Sequence, residues 1–192
     1  MGENTRMLLA DTDIRTALFD GRIGVEPFDE AALQPASIDV RLGNHFVHDP
    51  ARIADDIVDP EQDNDHLTVS SVVPDGGDIV LDPGDFMLGH TVERITLSPR
   101  VASWVEGRSS LGRLGLIVHS TAGFVDPGFS GQITLELGNV SRRPIRLRPG
   151  MRIAQMCFIW TLSPSQRPYG PERGSKYHGQ SGATRSLSHK DR

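Results

Sequence analysis

The segment Glu106-Gly107-Arg108-Ser109-Ser110-Leu111-Gly112-Arg113-Leu114-Gly115 sets two arginines five positions apart, with two adjacent hydroxyls and three glycines. Such a backbone offers many donors and little bulk. Polyphosphate oxygens need that combination: guanidinium forks, hydroxyls and amides that approach closely. The same residues also suit a solvated turn in which a serine opens a short helix, so composition leaves both readings open. The segment is not a P-loop, because it lacks G-x-x-x-x-G-K-[ST].

A second glycine-rich stretch, His119-Ser120-Thr121-Ala122-Gly123-Phe124-Val125-Asp126-Pro127-Gly128-Phe129-Ser130-Gly131, holds a carboxylate beside aromatics. Glu136 follows Asp126 by ten residues, on Gln132-Ile133-Thr134-Leu135-Glu136-Leu137, where polar and apolar residues alternate. Ile133, Leu135 and Leu137 share one face of that strand, and Thr134 and Glu136 share the other. If the second face lines a pocket, Glu136 is a candidate general base. If it meets water, Glu136 is an ordinary surface charge, and alternation alone favours that reading.

Other chemistries find less support. His45 and His48 are three apart with no cysteine nearby, and His119 reads as structural or surface, so the seven histidines form no metal constellation. Ser109 and Ser110 lie outside a G-x-S-x-G elbow, which argues against a serine hydrolase. The single cysteine, Cys157, permits no internal disulfide and no zinc site built on paired cysteines, and it agrees with a reducing cytosol.

These residues must be held by a small frame. The 192 residues suit one domain, and 20 Gly and 13 Pro make it rich in turns. With 37% hydrophobic and 23% charged residues, a real core is expected. A net charge of −5 argues against general binding to nucleic acid or a membrane surface. No apolar run approaches the ~18 residues of a membrane span, and the N-terminus lacks a long apolar stretch, so a cytoplasmic protein is expected. Residues 1–6 read as an extension ahead of Met7.

Asp11-Thr12-Asp13 offers N-cap oxygens to a helix over 11–20, which Gly21 would stop with φ > 0. A second short piece is expected near Asp29–Leu33, and the acidic stretch Asp49–Asp65 reads as an exposed excursion. After Leu67 the pattern is β, with Pro83-Gly84 and Pro149-Gly150 suited to type II turns. The two L-x-P-G units lie 66 positions apart, as in a weak duplication or by chance. Short strands between Pro-Gly turns indicate a mainly β barrel or sandwich. From Ser163 the apolar pattern disappears, and composition alone allows a frayed terminus.

The chain resembles the dCTP deaminases of the trimeric dUTPase superfamily. The resemblance is carried by Met7-Leu8-Leu9, Gln34-Pro35-Ala36-Ser37-Ile38-Asp39-Val40-Arg41-Leu42, Gly107–Gly115, Thr121–Gly131 and Leu147-Arg148-Pro149-Gly150-Met151. Tyr169 and Gly174-Ser175-Lys176-Tyr177-His178-Gly179-Gln180 extend it, while residues 1–6 and parts of 49–66 are poorly covered. The resemblance implies a mainly β, dUTPase-like β-clip with a short N-terminal helix, assembled as a homotrimer with sites at subunit interfaces. Residues 7–168 would form the catalytic domain, and 169–192 a C-terminal lid and tail.

It also implies deamination without zinc; the H-x-E…P-C-x-x-C site of zinc deaminases needs more than one cysteine. Glu136 matches the catalytic glutamate, which takes a proton from water as its oxygen attacks C4 of cytosine. Ser109 and Arg113 match supports for that water and the developing charge, and the carbonyl of Ala122 is expected to help hold the water. Arg108, Ser109 and Ser110 match the phosphate-binding segment, with Leu111, Gly112 and Arg113 in the same substrate-binding stretch. Asp126 matches the aspartate at the deoxyribose 3′-hydroxyl, and Thr134 and Leu135 border the base. Gln155, Tyr169, Lys176 and Gln180 match residues that close over the nucleotide. Mg2+ is expected on the triphosphate, held mainly by phosphate oxygens and water.

Within the family, Gly123-Phe124 resembles members that also cleave the triphosphate, where deamination-only members carry His-Arg. A small residue at 123 leaves room for a water near the α-phosphate, with Asp126 as its activating carboxylate. The expected activity is conversion of dCTP to dUMP, with inhibition by dTTP. The alternatives are a deaminase that stops at dUTP and a non-catalytic nucleotide-binding protein of the same fold.

Overall fold

The structure is a computed structural model that describes residues 8–50 and 57–190. The expected extension over residues 1–6, Met7, and part of the acidic excursion lie outside the described residues.

The expected N-terminal helix is α1 (Asp11–Phe19). Its N-cap is Ala10, not one of the three oxygen-bearing residues that follow; Asp13 instead reaches back and accepts from the Ala10 N–H at 3.3 Å. Gly21 ends the turn at φ 68, while the Arg22 N–H closes onto the Ala17 carbonyl at 2.8 Å. Buried Ile14 and Ala17 fasten the helix to the core. The second short piece is a 3-10 turn over Glu30–Ala32, capped by the Asp29 carboxylate accepting from the Ala31 N–H at 2.9 Å.

The rest is mainly β, in the order β1 (Ile23–Glu26), β2 (Leu33–Gln34), β3 (Ser37–Arg41), β4 (His45–His48), β5 (Val69–Val72) and β6 (Ile79–Leu81). There follow β7 (Phe86–Leu97), β8 (Val101–Gly107), the single turn α2 (Ser109–Gly112), β9 (Leu116–Val118) and β10 (Phe124–Val125). The last three strands are β11 (Ser130–Asn139), β12 (Ile145–Leu147) and β13 (Arg152–Trp160). One antiparallel sheet runs β5-β4-β7-β11-β9, with β1 also paired to β7; a second runs β10-β8-β13-β3-β2. Buried Phe46, Ile95, Leu135 and Leu137 from the first sheet and Ile38, Met156 and Phe158 from the second belong to one apolar core. Among the described residues no helix is long and apolar enough to cross a membrane.

The two Pro-Gly units behave as a pair. Each turn closes with one hydrogen bond, from Asp85 N–H to Asp82 O at 3.0 Å and from Met151 N–H to Arg148 O at 3.2 Å. Gly84 and Gly150 take φ of 86 and 84 in the third position, where only glycine is at ease. Their preceding strands, β6 and β12, pair antiparallel with each other, Leu81 opposite Ile145 and Ile79 opposite Leu147. The repeated sequence thus repeats a piece of structure.

The chain after Ser163 is not frayed where it is described. It returns to β11: the Gly179 N–H donates to Ser130 O at 2.6 Å, and Gln132 N–H to Gln180 O at 3.0 Å. The Gln132 side chain accepts from the Gly182 N–H at 2.7 Å, and His45 Nδ1 accepts from the Ala183 N–H at 3.0 Å. Polar main-chain bonds, not an apolar stripe, hold this segment down.

Candidate active site

The alternation of β11 has the outcome its spacing left open. Ile133, Leu135 and Leu137 are buried, while Thr134 and Glu136 are half-buried and line a cavity of about 880 Å3. The Glu136 carboxylate accepts from the Ser120 N–H at 3.2 Å, the Ser120 hydroxyl at 3.5 Å and the Thr121 hydroxyl at 3.4 Å. All three fall on Oε2, and Oε1 takes none of them. A carboxylate steadied on one oxygen beside a cavity is suited to moving a proton with the other.

The loop that supplies these donors is itself strained. His119 has φ 67, the only non-glycine with positive φ among the described residues, and such a conformation costs roughly 1 to 3 kcal/mol. Its N–H donates to Glu136 O at 2.9 Å, which ties the strain to the strand carrying the carboxylate. The imidazole lines the same cavity, and its Nδ1 is buried without a hydrogen-bond partner. Sequence reading had given His119 no functional part; its spacing carries no signal, and backbone strain is visible only in three dimensions.

Ala122, Phe124 and Asp126 also line this cavity, as do Tyr169, Lys176 and Gln180 from the returning C-terminal segment. Tyr169 is fixed from several sides. Its N–H donates to Pro127 O at 2.8 Å, its ring lies 5.9 Å from that of Phe129, and its hydroxyl accepts from the Tyr177 N–H at 3.0 Å. Burial pushes the Tyr169 phenol above its ordinary range, so it stays protonated at neutral pH. The excursion also takes part: Asn64 and Asp65 border the cavity, as does Thr68 just beyond it, whose hydroxyl accepts from Arg185 Nε at 2.7 Å. The expected exposed stretch is therefore partly a cavity wall. A space of this size is ample for one nucleotide.

Arg108, Ser109 and Ser110 lie elsewhere. With Gln155 they line a second, strongly polar cavity of about 360 Å3, whose floor includes Ser37 and Asp39 of β3. Leu111 packs against the core, whereas Gly112 and Arg113 stand exposed at the end of α2. The Leu135 side chain is fully buried, and Leu135 is not among the residues that line the first cavity. Gly123 sits behind Phe124: its carbonyl accepts from the Val105 N–H at 2.8 Å, and a Cβ there would stand 3.0 Å from Val105 O. One chain thus divides the candidate site residues between two cavities.

The dCTP deaminase-like family model matches residues 8–161. The chain belongs to that family. Among dCTP deaminase-like proteins, it is 53% identical over 187 residues to the "dCTP deaminase, dUMP-forming" of Mycobacterium avium, covering 96% of this chain and 97% of that protein. A protein of the same name from Beutenbergia cavernae is 53% identical over 186 residues, covering 95% of each chain. The fold also resembles the crystal structure of 2′-deoxycytidine 5′-triphosphate deaminase from Agrobacterium tumefaciens, with a TM-score of 0.63 and 24% identity over 82% of this chain. The match spans about half of that longer chain, 49%.

Proposed function

We propose that the protein converts dCTP and two waters to dUMP, ammonia and diphosphate. The observation that carries this is the Glu136 carboxylate, held by Ser120 and Thr121 on the wall of a nucleotide-sized cavity, in a chain half identical to dUMP-forming dCTP deaminases.

In the first step Glu136 takes a proton from water while the water oxygen bonds to C4 of the cytosine. The water's two protons pass in turn through the carboxylate, the first to the ring nitrogen N3 and the second, from the new C4 hydroxyl, to the 4-amino nitrogen; the C4–N bond breaks, and ammonia leaves a uracil carbonyl behind. Ala122, Asp126 and Thr134 line the same cavity; the Ala122 carbonyl would help hold the water, and Asp126 would meet the deoxyribose and activate the second water. That water attacks the α-phosphorus, the bond to the β-phosphate oxygen breaks, and diphosphate departs. The Gly123-Phe124 pair, by which the chain resembles members that cleave the triphosphate, supports this second step. The substrate is the magnesium complex of dCTP, its cation held by phosphate oxygens and water, and dTTP competes for the same space.

The division of donors between two cavities supports a homotrimer with shared sites. Ser109, Arg113 and the phosphate-binding donors of one subunit would complete the Glu136 cavity of the next. The exposed apolar side chains Phe86 and Ile117 flank Gly138 on the face of β11 that carries Glu136, as a surface covered by a second copy would. A cytoplasmic location accords with this metabolism and with the lone cysteine.

Replacing Glu136 with Gln tests the base. The variant is expected to bind dCTP and release no ammonia; turnover at the wild-type rate would overturn the assignment.

A further inference from the structure

The motif Ser37-Ile38-Asp39 has no part in the chemistry above, yet it places two buried polar side chains on one face of β3, 5% and 3% exposed. Both line the second cavity, and Asp39 pairs across to Gln155 on β13. We propose that Ser37 and Asp39 are positioning residues that orient Gln155 and Arg108 as donors for the triphosphate. The inference rests on the reading of the second cavity as the phosphate side of the site.

Asp39 Oδ2 stands 3.5 Å from Arg108 Nη2 and 3.3 Å from Arg152 Nη1. Arg152 is anchored in turn, since its Nη2 donates to Ala31 O at 2.9 Å. One buried carboxylate is thus shared by two guanidinium groups, one pinned and one at the cavity. Burial would be costly for a lone charge and is tolerable for a paired one. The three groups together carry one net positive charge, so the wall still attracts an anion. Arg108, braced at Nη2, keeps the rest of its planar fork for phosphate oxygens.

Ser37 acts on the amide. Its hydroxyl donates to Gln155 Oε1 at 3.0 Å, which leaves the Nε2 end, with its two N–H groups, for the cavity. A phosphate oxygen only accepts. Without the serine hydroxyl the Gln155 amide is free to turn Oε1 toward the ligand, where two acceptors meet.

The test uses the full-length assembled protein with Ser37→Ala, Asp39→Asn and Arg108→Ala. Readouts are KM and kcat for dCTP, and calorimetric binding of inorganic tripolyphosphate and of deoxycytidine. Loss of one charge-assisted contact weakens phosphate binding about tenfold. The expected pattern is a KM raised about tenfold in Asp39→Asn and about threefold in Ser37→Ala, where a neutral contact is lost. Tripolyphosphate binding should fall by matching factors, with kcat and deoxycytidine binding unmoved. Ser37→Thr, which keeps the hydroxyl, should restore the wild-type KM. If Arg108→Ala weakens tripolyphosphate binding and the β3 variants do not, the positioning role is wrong. Equal losses for tripolyphosphate and deoxycytidine would also overturn it, because they would mark general damage. If Arg108→Ala itself leaves tripolyphosphate binding unchanged, the phosphate reading of this cavity fails, and the inference fails with it.

Discussion

Shared sites make a quantitative prediction for mixed assemblies. Glu136 lines the larger cavity, while Ser109 lines the smaller and Arg113 is exposed beyond it. If each site draws Glu136 from one subunit and Arg113 from the next, Glu136→Gln and Arg113→Ala damage opposite walls. Each variant alone should lose about 100-fold or more of its ammonia release from dCTP. In a random equal mixture, half of the first walls and half of the second remain whole, so roughly a quarter of sites are intact. The two variants, differently tagged, are co-expressed and purified as mixed assemblies, and ammonia release is followed by a coupled assay. Selection for both tags removes the single-variant trimers, and each mixed trimer holds one intact site in three, so recovery to roughly a third of wild-type activity is expected. Activity no greater than the mean of the two parents, in assemblies that carry both tags, would refute the reasoning and return each site to a single chain.

If the loop at 123 positions the second water, Gly123→His, whose Cβ would crowd Val105 O at 3.0 Å and shift that loop, should lower diphosphate release about tenfold more than ammonia release; equal losses in a product-resolved assay would count against that water. His90 should make stability pH-dependent. Burial holds its pKa below the ordinary 6.5, with nearby His45 adding to the effect and the Thr91 carbonyl opposing it. Below pH 6.5 the unfolded chain therefore binds the extra proton first. Stability is complete above 6.5 and falls as pH drops, by at most about 1.4 kcal/mol per unit for this one group. Thermal unfolding at pH 7.5, 6.5 and 5.5 should follow that slope, and His90→Gln should flatten it. Tyr169→Phe removes the acceptor of the Tyr177 N–H; the C-terminal segment should become more susceptible to limited proteolysis, and KM for dCTP should rise about threefold.

Much of the frame was legible because its causes are local. A half-buried antiparallel strand must alternate, so β11 and the placing of Glu136 opposite its apolar face could be read directly. Pro-Gly turns and the Gly21 stop depend on φ preferences that belong to the residues themselves. The cap of α1 was harder: the helix begins at Asp11 as expected, but Asp11, Thr12 and Asp13 all carry cap-forming oxygens and the N-cap is Ala10.

What escaped is non-local. The donor segment Arg108–Arg113 and the Glu136 strand are both flanked by glycines, but sheet order decides which cavity each reaches: β8 joins β13 and β3, while β11 joins β7. No local pattern encodes that order. The C-terminal segment lacked an apolar pattern because hydrogen bonds to Gln132, His45 and Ser130 hold it. His119 was missed for a related reason: its left-handed backbone is imposed by the loop around it and not by its side chain.

The most direct test of the account is incubation of purified protein with dCTP and Mg2+, resolving nucleotides by chromatography while measuring ammonia and diphosphate. The account predicts ammonia, dUMP and diphosphate in equal amounts, without a pool of free dUTP. Ammonia with accumulating dUTP would contradict the second step, and no ammonia at all would contradict the role given to Glu136.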